Sequence, residues 1–191
     1  MMHPADEGLD LRQRRTRQAL VKALGELMLE RPFQNLSVTD ICQRAMVHRT
    51  TFYAHFSDKQ ELLRYLLLGL ERECVETCLP RDWPGSARDY FLSAARNILD
   101  FFLARRTLYQ ACHQSGADAD AHVLEDKAAE DLSRLLSHPR FQAVAPGCDS
   151  AITARFYAGA MFSLLRWWLN SDDPVPVERL LFHLDRFIPA L

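Results

Sequence analysis

The chain has 191 residues, of which 48% are hydrophobic, so it can bury sizeable cores in one or two domains. No run of about 18 apolar residues is free of charge, and the N-terminus lacks the apolar stretch of a secretory signal, which together favour a cytoplasmic protein over a membrane or secreted one. Taken alone, the net charge of −2 argues against a nucleic-acid-binding protein.

The distribution of charge reverses that conclusion. Residues 11–60 hold nine Lys and Arg against four Asp and Glu, a net +5, whereas residues 1–10 carry −3 and residues 61–191 carry −4. Positive charge is therefore concentrated in one segment, as contact with the phosphates of DNA requires.

The first predicted helix ends before Pro32 and has an apolar face of Leu20, Leu24, Leu27 and Met28. Four arginines precede this face: Arg12, Arg14, Arg15 and Arg17. They either contact DNA, at a phosphate or in the minor groove, or they form a solvated start of the helix.

Two short helices joined by a tight turn follow. Ser37 is placed to cap the first of them, whose buried face is predicted to be Val38, Ile41, Cys42 and Ala45. Residues 46–48 have room only for a turn. The second helix begins at about Arg49 and is anchored inward by Phe52 and Phe56 at i, i+4 spacing. This layout is that of a helix-turn-helix, whose second helix enters the major groove of DNA.

At these residues the chain resembles the TetR family of bacterial transcription regulators, through the string IxxxAxVxRxTFYxHFxDKxxLL that begins at Ile41. The resemblance covers roughly residues 11–65. Met46 stands where the family usually carries a turn glycine, so a left-handed backbone there would cost about 1 kcal/mol. His48 occupies the usual position of a capping serine or threonine.

The DNA-contacting residues are predicted from the motif and from the resemblance. Arg49 and Thr50, at the start of the recognition helix, are candidates for base edges, because arginine to guanine is the commonest specific contact. The resemblance implies that Tyr53 and Lys59 clamp phosphates. Three hydroxyl groups are placed to bond the DNA backbone, those of Ser37, Thr39 and Thr51. His55 either contacts DNA or packs the recognition helix against the fourth helix.

The rest of the chain reads as helices with no strand pattern, so the predicted fold class is all-α. A Ser57-x-x-Gln60 capping box starts a long fourth helix that runs to about Leu79. The predicted domains are a DNA-binding domain, 1–60, and a C-terminal effector-binding and dimerisation domain, 61–191.

The penultimate predicted helix is apolar nearly all round, which indicates burial on several sides, and the last predicted helix is lined by Leu180, Leu181, Leu184 and Phe187. In TetR-like proteins the final two helices pair with those of a second copy, and this pair loosely resembles the subgroup of dihydroxyacetone-operon activators. A homodimer on a palindromic operator is therefore expected. Its predicted interface consists of Phe156, Ala160, Leu164, Trp168, Leu180, Leu184 and Phe187.

A regulator of this kind usually senses an effector in its C-terminal part. Ordinary core packing is the favoured alternative for each candidate lining residue taken singly. The candidates are Phe101, Phe102, Tyr109, Cys112, His113 and Trp167. The default interpretation of Cys74 and Cys78 is that they are buried, reduced structural cysteines. Their i, i+4 spacing on one helix keeps metal or thiol sensing open as an alternative.

Two other classes of function are alternatives to a ligand-controlled repressor. An enzyme is not expected, because the sequence shows no phosphate-binding glycine loop, HExxH or GxSxG motif, and a His113 pairing with Asp118 or Asp120 has no motif behind it. An activator or switch controlled by a protein partner instead of a small molecule stays open. No cofactor and no metal site are predicted.

Overall fold

The computed structural model describes residues 10–79, 86–114, 118–142, 147 and 149–187. Within these ranges the chain forms α-helices, one 3₁₀ turn at Phe33–Asn35 and no strand, which confirms the prediction of an all-α fold. The helices are α1 (Leu11–Glu30), α2 (Val38–Ala45), α3 (Arg49–Tyr53), α4 (Lys59–Cys78), α5 (Ala87–Ala104), α6 (Arg106–Gln114), α7 (Asp118–Leu136), α8 (Pro139–Gln142), α9 (Ser150–Leu169) and α10 (Val177–Phe187).

The helices divide into two compact units. The first comprises Met1–Arg72 and Thr107–Asp120, and the second comprises Glu73–Arg106 and Ala121–Leu191. The first unit is therefore larger than the segment 1–60 predicted as the DNA-binding domain, because it includes most of α4 and of α6. Helix α4 contributes residues to both units.

The core of the first unit is built by the predicted apolar faces. Leu20 and Leu24 of α1, Ile41 of α2 and Phe52 of α3 are all fully buried. They pack with Leu62, Leu63 and Leu66 of α4, and with Cys112 of α6. The short helices α2 and α3 are thus held by side chains from three longer helices around them.

The second unit is stabilised by aromatic residues and by polar contacts between its helices. Tyr90 of α5 and Trp168 of α9 are each 1% exposed, and the Trp168 indole N–H donates to the carbonyl of Val175 over 2.7 Å. Phe91 stacks on Tyr157 and meets Phe141 edge-on. Arg88 joins α5 to α10 by donating to Asp185 over 2.8 Å. Among the described helices, none combines the length and apolarity needed to cross a membrane.

Candidate nucleic-acid interface

The turn between α2 and α3 is left-handed at Met46. Its φ of 55° and ψ of 43° lie in the region that glycine adopts without strain, as expected from the sequence. The amide N–H of Met46 donates to Gln43 and that of Val47 to Cys42, the paired bonds of a Schellman motif. These bonds end α2 sharply and direct the chain into α3, while the Met46 side chain is 92% exposed.

Helix α3 is short and is held by two aromatic anchors. Phe52 is fully buried and Phe56, just beyond the helix, is 3% exposed, which confirms their predicted role in the core. His48 is the N-cap residue but makes no side-chain capping bond, as its identity predicts. With one buried residue in a helix of five, α3 owes its position to the core rather than to its own hydrogen bonds.

The opposite side of α3 is exposed. Arg49 and Thr50 begin the helix and are exposed, and Tyr53, one turn later, is 51% exposed. Because residues three and four apart share a helix face, these three side chains form one continuous polar surface. Thr51 and His55 are half-buried beside this surface.

The start of α2 is fixed by a reciprocal pair of bonds between Ser37 and Asp40. The Asp40 amide donates to the Ser37 hydroxyl, while the hydroxyl and amide of Ser37 donate to the Asp40 carboxylate over 2.6 and 2.8 Å. These bonds and the Arg31 guanidinium, 3.0 Å away, lower the pKa of Asp40 to about 2. The Ser37 hydroxyl proton is thus used inside the protein, whereas Thr39 is exposed.

Lys59 does not extend into solvent as a phosphate clamp would. Its ammonium donates to the carbonyls of Phe33, Gln34 and Leu36 over 3.0, 3.2 and 2.7 Å. The same nitrogen lies 4.6 Å from the centre of the Phe33 ring. An ammonium has three N–H groups, so these carbonyls occupy all of its donors.

The capping box predicted from Ser57 to Gln60 is wrong in its details. Helix α4 starts at Lys59, and the Glu61 amide donates to the Asp58 carboxylate over 2.8 Å, so Asp58 is the capping residue. Ser57 instead donates its amide and hydroxyl to the Glu61 carboxylate. Ser57 and Asp58 can both cap a helix, so the sequence left the start of α4 ambiguous by one position.

The four arginines of α1 divide into two groups. The Arg17 guanidinium lies 5.4 Å from the ring centres of both Phe56 and Tyr65, which makes it part of the packing of the first unit. Arg12 and Arg15 are exposed, and Arg14 is half-buried. Arg12 and Arg15 are therefore the two α1 arginines that present charge to solvent.

The residues predicted to line an effector pocket belong to different units. Phe101 and Phe102 pack with Cys74 and Cys78 in the second unit. Tyr109 and Cys112 belong to the first, where burial in the core raises the pKa of the Cys112 thiol to about 12. The side chain of His113 lies outside the described residues.

Two details of the effector prediction are changed by burial. Trp167 is 59% exposed, which is the exposure of a surface residue rather than that of a pocket wall. Cys74 and Cys78 are 8% and 3% exposed, and Cys78 donates its thiol to the carbonyl of Asn97. In the described part of the chain, no cluster of three or more His, Cys, Asp or Glu is placed to hold a metal ion.

The predicted dimer-interface residues also divide by burial. Phe156 and Phe187 are 67% and 73% exposed, and Ala160 is exposed. Leu164 and Leu184 are half-buried. Trp168 and Leu180 are 1% and 6% exposed inside their own chain, so their assignment to the interface is corrected. Trp167, next to Trp168, and Phe182, two residues after Leu180, are exposed aromatic residues.

Comparison with known proteins agrees with this geometry. Residues 20–66, which contain the helix-turn-helix and its supporting helices, match the family model of bacterial regulatory proteins of the tetR family. An HTH-type transcriptional regulator of Haemophilus influenzae is 42% identical, over 78% of this chain and 78% of its own.

The chain belongs to the TetR family. The family consists of transcription regulators rather than enzymes. The HTH-type regulator YxbF of Bacillus subtilis is 29% identical over 96% of this TetR-family chain, which spans 47% of that relative's length. DhaS of Lactococcus lactis, activator of the dhaKLM operon, is 37% identical over 51 residues, 27% of each chain.

Solved structures agree on the fold. A TetR-family regulator from Syntrophomonas wolfei superposes with a TM-score of 0.73 at 20% identity, covering 91% of this chain and 93% of its own. The dihydroxyacetone kinase operon activator DhaS superposes with a TM-score of 0.58, also at 20% identity, covering 90% of this chain and 93% of its own. DhaS thus shares the overall fold, as do other TetR-family regulators.

Proposed function

We propose that this chain is a DNA-binding transcriptional regulator that reads a palindromic operator as a homodimer. The observation that carries the proposal is the exposed polar surface of α3, formed by Arg49, Thr50 and Tyr53 and backed by the buried Phe52. A short helix with one polar face outward and its other face fixed in the core is what insertion into the major groove requires.

The roles of the surface residues follow from their chemistry. The Arg49 guanidinium can donate two parallel bonds to O6 and N7 of guanine, and the Thr50 hydroxyl can bond the neighbouring base. Tyr53 and Thr39 present exposed hydroxyls that donate to phosphates. Thr51 and His55 are half-buried and contribute to DNA binding at the edges of the surface. Ser37 donates its hydroxyl proton to Asp40 and contributes by fixing the start of α2.

A dimer is needed because one short helix reads few base pairs. Two recognition helices placed about 34–36 Å apart read two half-sites one turn apart. An exposed stripe runs along α9, and its members are spaced three or four residues apart: Ile152, Phe156, Ala160, Ser163 and Trp167. Phe182 and Phe187 of α10 add exposed aromatic surface. A second copy of the chain would cover this apolar area.

The dimer is switched by an effector of the C-terminal domain, and its default action is repression. The long helix α4 is the element through which the switch acts, since it starts beside the helix-turn-helix and contributes to both units. An effector acts only through different affinities for two spacings of the recognition helices. The likeness to DhaS, an activator, supports the alternative of an activator or a switch controlled by a protein partner.

Binding to the DNA upstream of its own gene, measured over a series of salt concentrations, tests the proposal. Wild-type protein should bind with an affinity that falls steeply with salt. Arg49→Ala should weaken operator binding by roughly tenfold or more, since a bidentate contact to guanine is worth about 1–3 kcal/mol. Lys22→Ala is the matched control, because Lys22 is an exposed basic residue of α1 that pairs with Glu26 of the same helix.

If the upstream DNA is not bound, selection from random sequences should return a palindrome. Failure of both experiments would overturn the DNA-binding proposal. The kind of effector is tested separately: a small molecule that raises the melting temperature and releases DNA supports a ligand-controlled repressor. A stable complex with a second protein, and no small molecule with that effect, supports the partner-controlled switch.

A further inference from the structure

Lys59 joins the two ends of the helix-turn-helix. Its ammonium bonds the carbonyls of Phe33, Gln34 and Leu36, here called the carbonyl triad, which lie immediately before the cap of α2 at Ser37. Lys59 itself is the first residue of α4. Residues 37–58, which contain α2, the turn and α3, therefore form a loop that these three bonds close.

The carbonyl triad is a site built for a compact cation. Phe33 and Leu36 are each 2% exposed, and the bonds that their carbonyls accept from Lys59 are partly buried. Three carbonyl dipoles converge on one nitrogen, and the Phe33 ring lies 4.6 Å away from it. A guanidinium is planar and cannot direct its donors to three acceptors around one point, whereas an ammonium can.

We propose that Lys59 is a positioning residue, which fixes the angle at which α2 and α3 are presented, and not a ligand of the phosphate backbone. This inference rests on the proposed DNA-binding function. A phosphate could take the ammonium only by breaking bonds to the carbonyl triad, which would leave partly buried carbonyls without their donor. Holding α2 and α4 together instead keeps Arg49 and Thr50 in the geometry that reads bases.

The slope of affinity against salt distinguishes the two roles. Losing one phosphate-bound lysine lowers the slope by about 0.9, whereas losing a residue that contacts only carbonyls leaves it unchanged. We therefore expect Lys59→Met in the full-length protein to keep the wild-type slope and to lower the melting temperature by roughly 5 °C. Lys22→Met, which removes an exposed lysine, controls for the loss of charge alone.

The ratio of specific to non-specific DNA affinity distinguishes positioning from simple stabilisation. At a temperature where all variants are fully folded, Lys59→Met should lower operator affinity by roughly tenfold while affinity for unrelated DNA changes little. Lys59→Arg, which keeps the charge, should show the same loss of ratio. A destabilised but correctly arranged protein would keep the ratio.

Three outcomes would overturn the inference. The first is a Lys59→Met protein whose salt slope is reduced by about one while its melting temperature is unchanged. The second is an unchanged ratio of specific to non-specific affinity in both Lys59→Met and Lys59→Arg, and the third is wild-type behaviour in every assay. Absence of DNA binding by the wild-type protein would instead overturn the proposed function. The role of Lys59 in closing the loop would then be decided by the melting temperatures of Lys59→Met and Lys22→Met alone.

Discussion

Arg106 caps the C-terminus of α9 through the backbone of Leu169, whose carbonyl accepts a bond from the guanidinium Nε over 2.8 Å. A second nitrogen of the same guanidinium donates to the carbonyl of Ser171. The last carbonyls of a helix have no partner within the helix, and the helix dipole places negative potential there. A positive side chain thus satisfies the last carbonyl of the helix that carries the exposed apolar stripe, and the Asn170 side-chain amide donates to the carbonyl of Arg166 one turn earlier.

Replacing Arg106 by alanine should therefore destabilise the second unit. The loss of two charged hydrogen bonds at a half-buried site is expected to cost roughly 1–2 kcal/mol, or about 2–8 °C in melting temperature. Thermal unfolding at fixed protein concentration measures the effect, with Arg15→Ala as the control at an exposed arginine. Equal melting temperatures for the two variants would contradict the capping role.

Replacing Met46 by glycine should stabilise the first unit, since glycine adopts the left-handed conformation without strain. The expected gain is about 1 kcal/mol, measured by urea unfolding. Gln43→Gly is the matched control, because Gln43 is exposed within α2 and the same substitution there should cost about 1 kcal/mol. A loss of stability in both variants would show that Met46 has compensating contacts.

Stability at acid pH should depend on Asp40. Bonds from Ser37 and then Arg31 lower its pKa from 3.8 to about 2. A lowered pKa stabilises the folded state above pH 3.8, and this contribution disappears as the pH falls from 3.8 through about 2. Asp40→Asn should therefore be less stable than wild type at pH 7, and the difference should shrink by pH 2. A constant difference in urea midpoint would contradict this.

The exposed stripe of α9 should control the oligomeric state. Phe156→Arg places a charge on exposed apolar surface, so we expect a monomer in sedimentation experiments and a loss of cooperative operator binding. Arg155→Ala, at an exposed residue beside the stripe, should leave the dimer intact. A Phe156→Arg protein that sediments like wild type would remove α9 from the interface.

The sequence predicted those parts of the fold that follow from periodicity. The face of α1 and the anchors Phe52 and Phe56 are buried as expected, since apolar spacing in an amphipathic helix points to a single side. In α2, Ile41 and Cys42 are buried, whereas Val38 and Ala45 are partly buried against the same core. Helix α9 is apolar almost all round, so its pattern did not distinguish the buried Trp168 from the exposed Trp167. Which of the two tryptophans is buried depends on the side of α9 that the other helices of the second unit cover.

The role of Lys59 is the second feature that the sequence did not reveal. Its acceptors are backbone carbonyls at 23 to 26 positions' distance along the chain, and every residue carries such a carbonyl. No sequence pattern marks the three that converge. By contrast, the left-handed turn at Met46 was predictable from the resemblance to the TetR family, which usually carries a turn glycine at this position.

The shortness of α3 bears on how such a regulator can evolve. Phe52 holds the helix in place, while Arg49, Thr50 and Tyr53 make little contribution to the core. Substitutions at Arg49 and Thr50, the two positions proposed to read bases, can therefore change which bases are read without passing through an unfolded intermediate protein. A duplicated gene could acquire a new operator by changes confined to one turn of helix, and libraries randomised at these positions offer the same route in the laboratory.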